Sequence, residues 1–132
     1  MAYVNVTTSD SILNGYLAAL KSAEFGSEAR PLLSNAVDRC YYLAVLKAGS
    51  AKNGVTRSVI DVHINRIKNA VYGEEVRDAL KTGLTLCYSA RGISLSGTEN
   101  NYLTAMINAQ LAEDLMNGFL RSIARCCQDV RA

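Results

Sequence analysis

The sequence predicts an all-α protein, a five-helix up-and-down antiparallel bundle with a long C-terminal helix. Apolar residues recur at three- and four-residue steps along most of the chain, which is the spacing of amphipathic helices. There is a single proline and no run of alternating apolar and polar residues. Segments rich in Gly, Ser and Asn separate the helical stretches. At 132 residues, the chain is expected to form one domain over residues 1–132.

The N-terminal half contains the most apolar predicted helix. Residues 1–8 alternate only briefly between apolar and polar character and are expected to form an extended arm, which precedes a first helix from Ile12 to about Ala23. After a break at Gly26–Ser27, a central helix is predicted over Pro31–Lys47. Proline suits the first turn of a helix and Gly49 suits its end. We expect the other helices to pack around this one.

The rest of the chain is predicted to form three helices separated by loops at residues 48–56 and 92–101. Each of the three carries one apolar stripe. Ser96 or Thr98 would cap the last of them. The predicted ranges are Arg57–Val71, Glu74–Arg91 and Tyr102–Val130.

Composition and motifs exclude several classes of function. The net charge is +2, from 14 basic and 12 acidic residues, so only a local basic patch would attract nucleic acid. The longest apolar run has seven residues, whereas a membrane span needs about 20. No signal peptide is recognisable, so we expect a cytoplasmic protein without membrane contact.

The cysteines and the lone histidine do not show the spacing of a metal site. Cys40, Cys87, Cys126 and Cys127 form no C-x-x-C pair, and His63 is the only histidine. We expect reduced, buried thiols, no metal and no cofactor. No phosphate-binding loop, nucleophile elbow or H-E-x-x-H motif is present, which favours binding over catalysis.

Arg57 and His63 are the candidate catalytic pair, in R-S-V-I-D-V-H. Arginine holds phosphate bidentately and histidine transfers protons near neutral pH. Together they would suffice for metal-independent cleavage of RNA, in which the ribose 2′-hydroxyl attacks the adjacent phosphate. The alternative is that His63 is a hydrogen-bonded core residue, and six positions along a helix place the pair about 120° apart.

A second candidate group combines tyrosine with arginine. Arg39, Tyr42 and Arg91 would contact RNA or a nucleotide through phosphate pairing and base stacking, although such residues also serve helix cores and interfaces. Arg39 interrupts an apolar helix, where an unpaired charge is costly. We expect it to pair with Asp114 or Glu113 of the last helix, or to line a cleft.

The segment N-A-V-D-R-C-Y-Y-L-A-V-L-K-A at residues 35–48 resembles the first long helix of HEPN domains, the higher eukaryote and prokaryote nucleotide-binding group. The resemblance implies a homodimer or higher homo-oligomer that binds RNA or nucleotides. Ribonucleases of that family carry an Arg and a His four to six residues apart, and five residues separate Arg57 from His63. Here the pair precedes the fourth helix, and Gly92 and Ile93 follow Arg91 where the family often has a charged–aromatic pair.

Two functions follow from these features. The first is an HEPN-like RNA- or nucleotide-binding protein, in the manner of a toxin–antitoxin or phage-defence component. The second is a non-enzymatic interaction protein: a small subunit of a ribonucleoprotein complex, a viral or phage accessory protein, or a protein inhibitor. Convergence of Arg39, His63 and Arg91 in one cleft would favour the first.

Overall fold

Six α-helices, rather than the predicted five, form the part of the chain that the structure describes. This computed structural model describes residues 3–24, 26–71 and 73–132. The described residues contain no β-strand, which confirms the all-α class. The helices are α1 (Ser11–Ser22), α2 (Ala29–Ala48), α3 (Arg57–Asn69), α4 (Gly73–Arg91), α5 (Gly97–Ile107) and α6 (Ala112–Cys127), with a short 3₁₀ turn at Lys52–Gly54.

Helix α2 occupies the centre of the bundle, as its apolar sequence predicts. It packs against α1, α3, α4 and α6, and α4 is equally central because it contacts α2, α3, α5, α6 and the 3₁₀ turn. Gly49 ends α2 in the left-handed conformation at φ 84°, and its N–H donates to the carbonyls of Val45 and Leu46. Glycine adopts this conformation without a steric penalty from a Cβ, which explains why the helix ends there.

The prediction of a single long C-terminal helix over residues 102–130 is wrong, because the chain turns back on itself between α5 and α6. Helix α5 begins earlier, where Ser96 and Glu99 form a capping box. It ends at Ile107 with Asn108 as its C-cap, and Leu111 has extended backbone angles before α6 begins. The apolar residues keep a four-residue spacing through this turn, so the periodicity alone does not reveal it.

The segment expected to be an extended arm packs along the bundle. Residues 3–10 have no helix or strand, and Tyr3, Val4 and Val6 contact the core. The Val4 N–H donates to the side-chain oxygen of Asn117, and the Ser9 N–H donates to the carbonyl of Gln128. Met1 and Ala2, which the prediction also included, lie outside the described residues.

The core is apolar and its few polar groups are hydrogen-bonded. The hydroxyl of Tyr88, which is fully buried, donates to the carbonyl of Ser122 at 2.8 Å. In the described ranges, every buried side-chain nitrogen or oxygen has a hydrogen-bond partner. None of the described helices is both long enough and apolar enough to traverse a bilayer.

Candidate functional site

A surface cleft lies where α2 approaches the start of α3, and we call it the α2–α3 cleft. Its volume is about 360 Å³ and its lining is mostly apolar. Tyr42 and Leu46 stand one helical turn apart on α2 and are 44% and 46% exposed. The lining residues are Tyr41, Tyr42, Val45, Leu46, Gly49 and Arg57.

Arg57 forms the charged edge of this cleft. Its guanidinium pairs with Asp38 of α2 and lies 3.3 Å from the carboxylate of Asp61, one turn further along α3. The same group stands over the ring of Tyr41, 4.9 Å from its centroid. Two carboxylates therefore neutralise the cation that the sequence suggested for binding phosphate.

Arg39 lies beside the cleft and is also paired. Its Nε and one terminal nitrogen donate to both carboxylate oxygens of Asp10, each at 2.9 Å. Its guanidinium stands 4.8 Å from the centroid of the Tyr42 ring. The expectation that Asp114 or Glu113 neutralises Arg39 is wrong, because the N-cap residue of α1 fills that role.

The pair between Asp10 and Arg39 is mostly enclosed. Asp10 is buried and the Arg39 side chain is 19% exposed. The hydrogen bonds from Arg39 hold the pKa of the Asp10 carboxyl below its ordinary value, against the opposing effect of burial. This carboxylate is ionised at neutral pH and is already paired with Arg39.

His63 occupies a different place from Arg57. It is half-buried, its Cβ faces Gly83 of α4, and its Nδ1 lies 3.0 Å from a guanidinium nitrogen of Arg66. Arg66 also pairs with Asp78 of α4. The lining of the α2–α3 cleft does not include His63. Among the described residues, Arg66 is the only hydrogen-bond neighbour of His63, so the two members of the candidate catalytic pair have different partners.

Arg91 belongs to a third environment at the end of α4. It donates to the carbonyl of Cys126 and, at 3.0 Å, to both carboxylate oxygens of Asp129. A separate surface pocket of about 410 Å³ is lined by Arg91, Ile93, Glu99, Ala124, Arg125, Gln128 and Asp129. Both arginines of this pocket are therefore paired, Arg91 with Asp129 and Arg125 with Glu99.

Of the five predicted site residues, the structure brings three together. Arg39, Tyr42 and Arg57 lie in or beside the α2–α3 cleft, whereas His63 and Arg91 have partners elsewhere. The sequence patterns did not identify Asp10, Asp38 and Asp61 as the carboxylates that neutralise the two arginines. The i to i+4 spacing of Arg57 and Asp61 was the one available signal.

The α2–α3 cleft combines an apolar lining with paired charges at its edge. No group of three or more His, Cys, Asp or Glu side chains in the described ranges is placed to hold a metal ion. The half-exposed apolar lining offers contact area to another molecule. Comparisons with family models, curated proteins and solved structures found no match to this chain. The resemblance to HEPN domains therefore rests on residues 35–48 and the Arg57–His63 spacing.

The His63 imidazole is expected to titrate below its ordinary pKa of 6.5, because burial and the nearby Arg66 cation both disfavour its protonated form. Replacing Arg66 with Gln should raise this pKa, whereas replacing Arg57 with Gln should leave it unchanged. Proton NMR of the single histidine measures its pKa in the unmodified protein and in both variants.

The lowered pKa of His63 also affects stability. The unfolded chain protonates this imidazole more readily than the folded chain does, so the protein becomes less stable as the pH falls through 6.5.

The Arg57 variant is the matched control, since both arginines lie on α3. An equal rise of the pKa in both variants would mean that Arg57 and His63 act as one site. A pKa at or above 6.5 in the unmodified protein would contradict the effect of Arg66.

Proposed function

We propose that this protein is a non-enzymatic interaction protein that binds another protein through the α2–α3 cleft. The observation that carries the proposal is the half-exposed pair of Tyr42 and Leu46 over an apolar cleft whose arginines are neutralised. Large apolar side chains grouped at a cleft are typical of contact surfaces. Charges that are already paired at the edge are typical of an interface rim.

The proposed partner is a second copy of the same chain. A two-fold contact places a patch against itself, so a strongly charged patch would repel its copy. Around this cleft, Arg39 and Arg57 face Asp10, Asp38 and Asp61, and the charges nearly cancel. Such a surface can pack on itself with Leu46 of each copy in the cleft of the other at little electrostatic cost.

Replacing Leu46 with Glu is expected to abolish self-association, because the carboxylate would have to be buried without a partner. Size-exclusion chromatography with light scattering would measure the mass across a range of concentrations. We expect dimers for the unmodified protein and monomers for the variant. The dissociation constant should rise at least tenfold.

Leu111→Glu is the matched control, because Leu111 is 64% exposed and lies outside the cleft, between α5 and α6. It should leave the mass unchanged. A monomeric unmodified protein at every concentration would overturn the second copy as the partner. Dissociation by both variants would overturn the α2–α3 cleft as the contact.

A second candidate, RNA or nucleotide binding in the manner of HEPN domains, is favoured by two adjacent tyrosines that each have a guanidinium over the ring, Arg39 over Tyr42 and Arg57 over Tyr41. Aromatic rings beside arginines can stack on bases. Binding would require Arg39 or Arg57 to exchange a carboxylate for a phosphate. Toxin–antitoxin and phage-defence roles belong to this candidate.

Fluorescence polarisation with a labelled single-stranded RNA distinguishes the two candidates. Binding that weakens with added salt and is lost in Tyr42→Ala would support the second one. RNA cleavage lost in both Arg57→Ala and His63→Ala would extend it to catalysis. An unchanged polarisation at micromolar protein would exclude RNA at this cleft.

A further inference from the structure

All four cysteines of the chain meet in the core. Cys40 comes from α2, Cys87 from α4, and Cys126 and Cys127 from the last turn of α6. All four are free thiols and fully buried. Hydrogen bonding with the thiols of Cys126, Cys127 and Cys87, together with burial, raises the pKa of Cys40 well above its ordinary value. Two other helices, α4 and α6, therefore place their sulfurs around Cys40 of α2.

Cys127 is the neighbour placed for a bond with Cys40. Their Sγ atoms are 3.3 Å apart, about 1.3 Å more than the length of a disulfide. Side-chain rotation about Cα–Cβ can move a sulfur this far. The Sγ of Cys87 also lies beside Cys40 and is 3.8 Å from the carbonyl oxygen of Val37. Cys126 is the other thiol beside Cys40, and it is adjacent to Cys127 in a helix, where side chains diverge by about 100°.

We propose that Cys40 and Cys127 form a reversible disulfide, with a hydroperoxide as the oxidant, that joins α2 to the end of α6. This inference does not depend on the proposed function, because it concerns the core rather than the α2–α3 cleft. Under reducing conditions, the two thiols remain free and packed as apolar groups.

The reaction balances with one hydrogen peroxide. The sulfur of Cys127 attacks a peroxide oxygen, the O–O bond breaks, and the departing hydroxide takes the thiol proton as water. The sulfur of Cys40 then attacks the resulting sulfenic acid. The S–O bond breaks and the hydroxyl group leaves as a second water with the proton of Cys40. Two thiols have lost two electrons and two protons.

The position of Cys127 explains how an oxidant reaches a buried thiol. It is the last residue of α6, and helix ends open more readily than helix interiors. An oxidant reaches Cys127 when this end opens, which breaks the contacts of Gln128 with Ser9 and of Asp129 with Arg91 and Lys47. Cys40 lies in the interior of the 20-residue α2 and reacts second.

The test uses the full chain, first reduced and then treated with hydrogen peroxide. Blocking free thiols with N-ethylmaleimide before mass spectrometry should reveal one intramolecular disulfide between the fragments that contain Cys40 and Cys127. Closing a loop of roughly 90 residues should raise Tm by about 10 °C, and dithiothreitol should reverse the change. Cys126→Ser is the matched control, since it removes a neighbouring buried thiol and should leave the bond intact.

Cys127→Ser should prevent both the bond and the rise of Tm on oxidation. Cys127→Ala, which adds no buried hydroxyl, serves the same purpose if the serine variant fails to fold. A bond to Cys126 or Cys87, only intermolecular bonds, or four free thiols after treatment would each overturn the proposal.

Discussion

Replacing Asp10 with Ala is expected to lower the free energy of unfolding by about 3 kcal/mol, because one carboxylate has two structural roles. It accepts the backbone N–H of Leu13 as the N-cap of α1, and it pairs with Arg39 through both oxygens. The variant loses the cap and leaves the mostly buried guanidinium of Arg39 without a carboxylate. Urea denaturation followed by circular dichroism measures the loss.

Asp61→Ala is the matched control for an exposed pair. Asp61 contacts Arg57, which keeps Asp38 as a partner, and both side chains are about half exposed. We expect a change below about 0.5 kcal/mol, as for other exposed ion pairs. A loss of less than about 1 kcal/mol in the Asp10 variant would contradict the importance of the pair with Arg39.

Asp10→Asn isolates the part of this stability that depends on charge. The pKa of Asp10 is lowered in the folded protein, so the contribution is complete above the ordinary value of 3.8. It is lost as the pH falls through the lower folded pKa. The difference in stability between the unmodified protein and the variant should therefore be constant near neutral pH and shrink in acid.

Replacing Gly118 with Ala is expected to cost about 2 kcal/mol, because α6 approaches α5 too closely there for a side chain. A Cβ at this position would lie 2.7 Å from the Cγ of Met106 and 3.3 Å from the carbonyl oxygen of Tyr102. The Cγ atom is near the backbone and the carbonyl belongs to α5, so the two helices would have to separate. Thermal and urea denaturation measure the effect.

Gly15→Ala is the matched control, since Gly15 is an exposed residue of α1 where an added Cβ would meet no neighbouring group within 4 Å. There the higher helix propensity of alanine should stabilise the protein by about 0.5–1 kcal/mol. Equal increases in the free energy of unfolding at both positions would show that the contact between α5 and α6 accommodates a Cβ at residue 118. In a Gly118→Ala, Met106→Ala double variant, the loss should be smaller than the sum of the single losses.

The contrast between Gly15 and Gly118 shows what a local sequence pattern cannot predict. Both interrupt helical stretches and look alike in sequence, but only Gly118 lies between two packed helices. The same limit applies to α5 and α6, whose apolar residues continue one four-residue spacing through the turn. Helix periodicity reports which residues face the core and carries no information about where the axis reverses.

The partners of the charged residues show the same limit at the site. Arg39 was expected to need a partner because it interrupts an apolar helix, and that expectation holds. Its partner lies 29 positions away at the cap of α1 and was not predicted. Arg57 and His63 were grouped by spacing, yet they contact different neighbours because α3 packs against both α2 and α4.

Four features were predictable from the amino-acid sequence: the all-α class, the central position of α2, the end of α2 at Gly49 and the need for a partner at Arg39. They depend on local periodicity, backbone preference and the cost of a buried charge. The turn between α5 and α6, the α2–α3 cleft and the cluster of four cysteines became visible only in the folded structure. Each of these depends on how separate helices pack, because residues distant along the chain become neighbours only when the helices bury their apolar faces together.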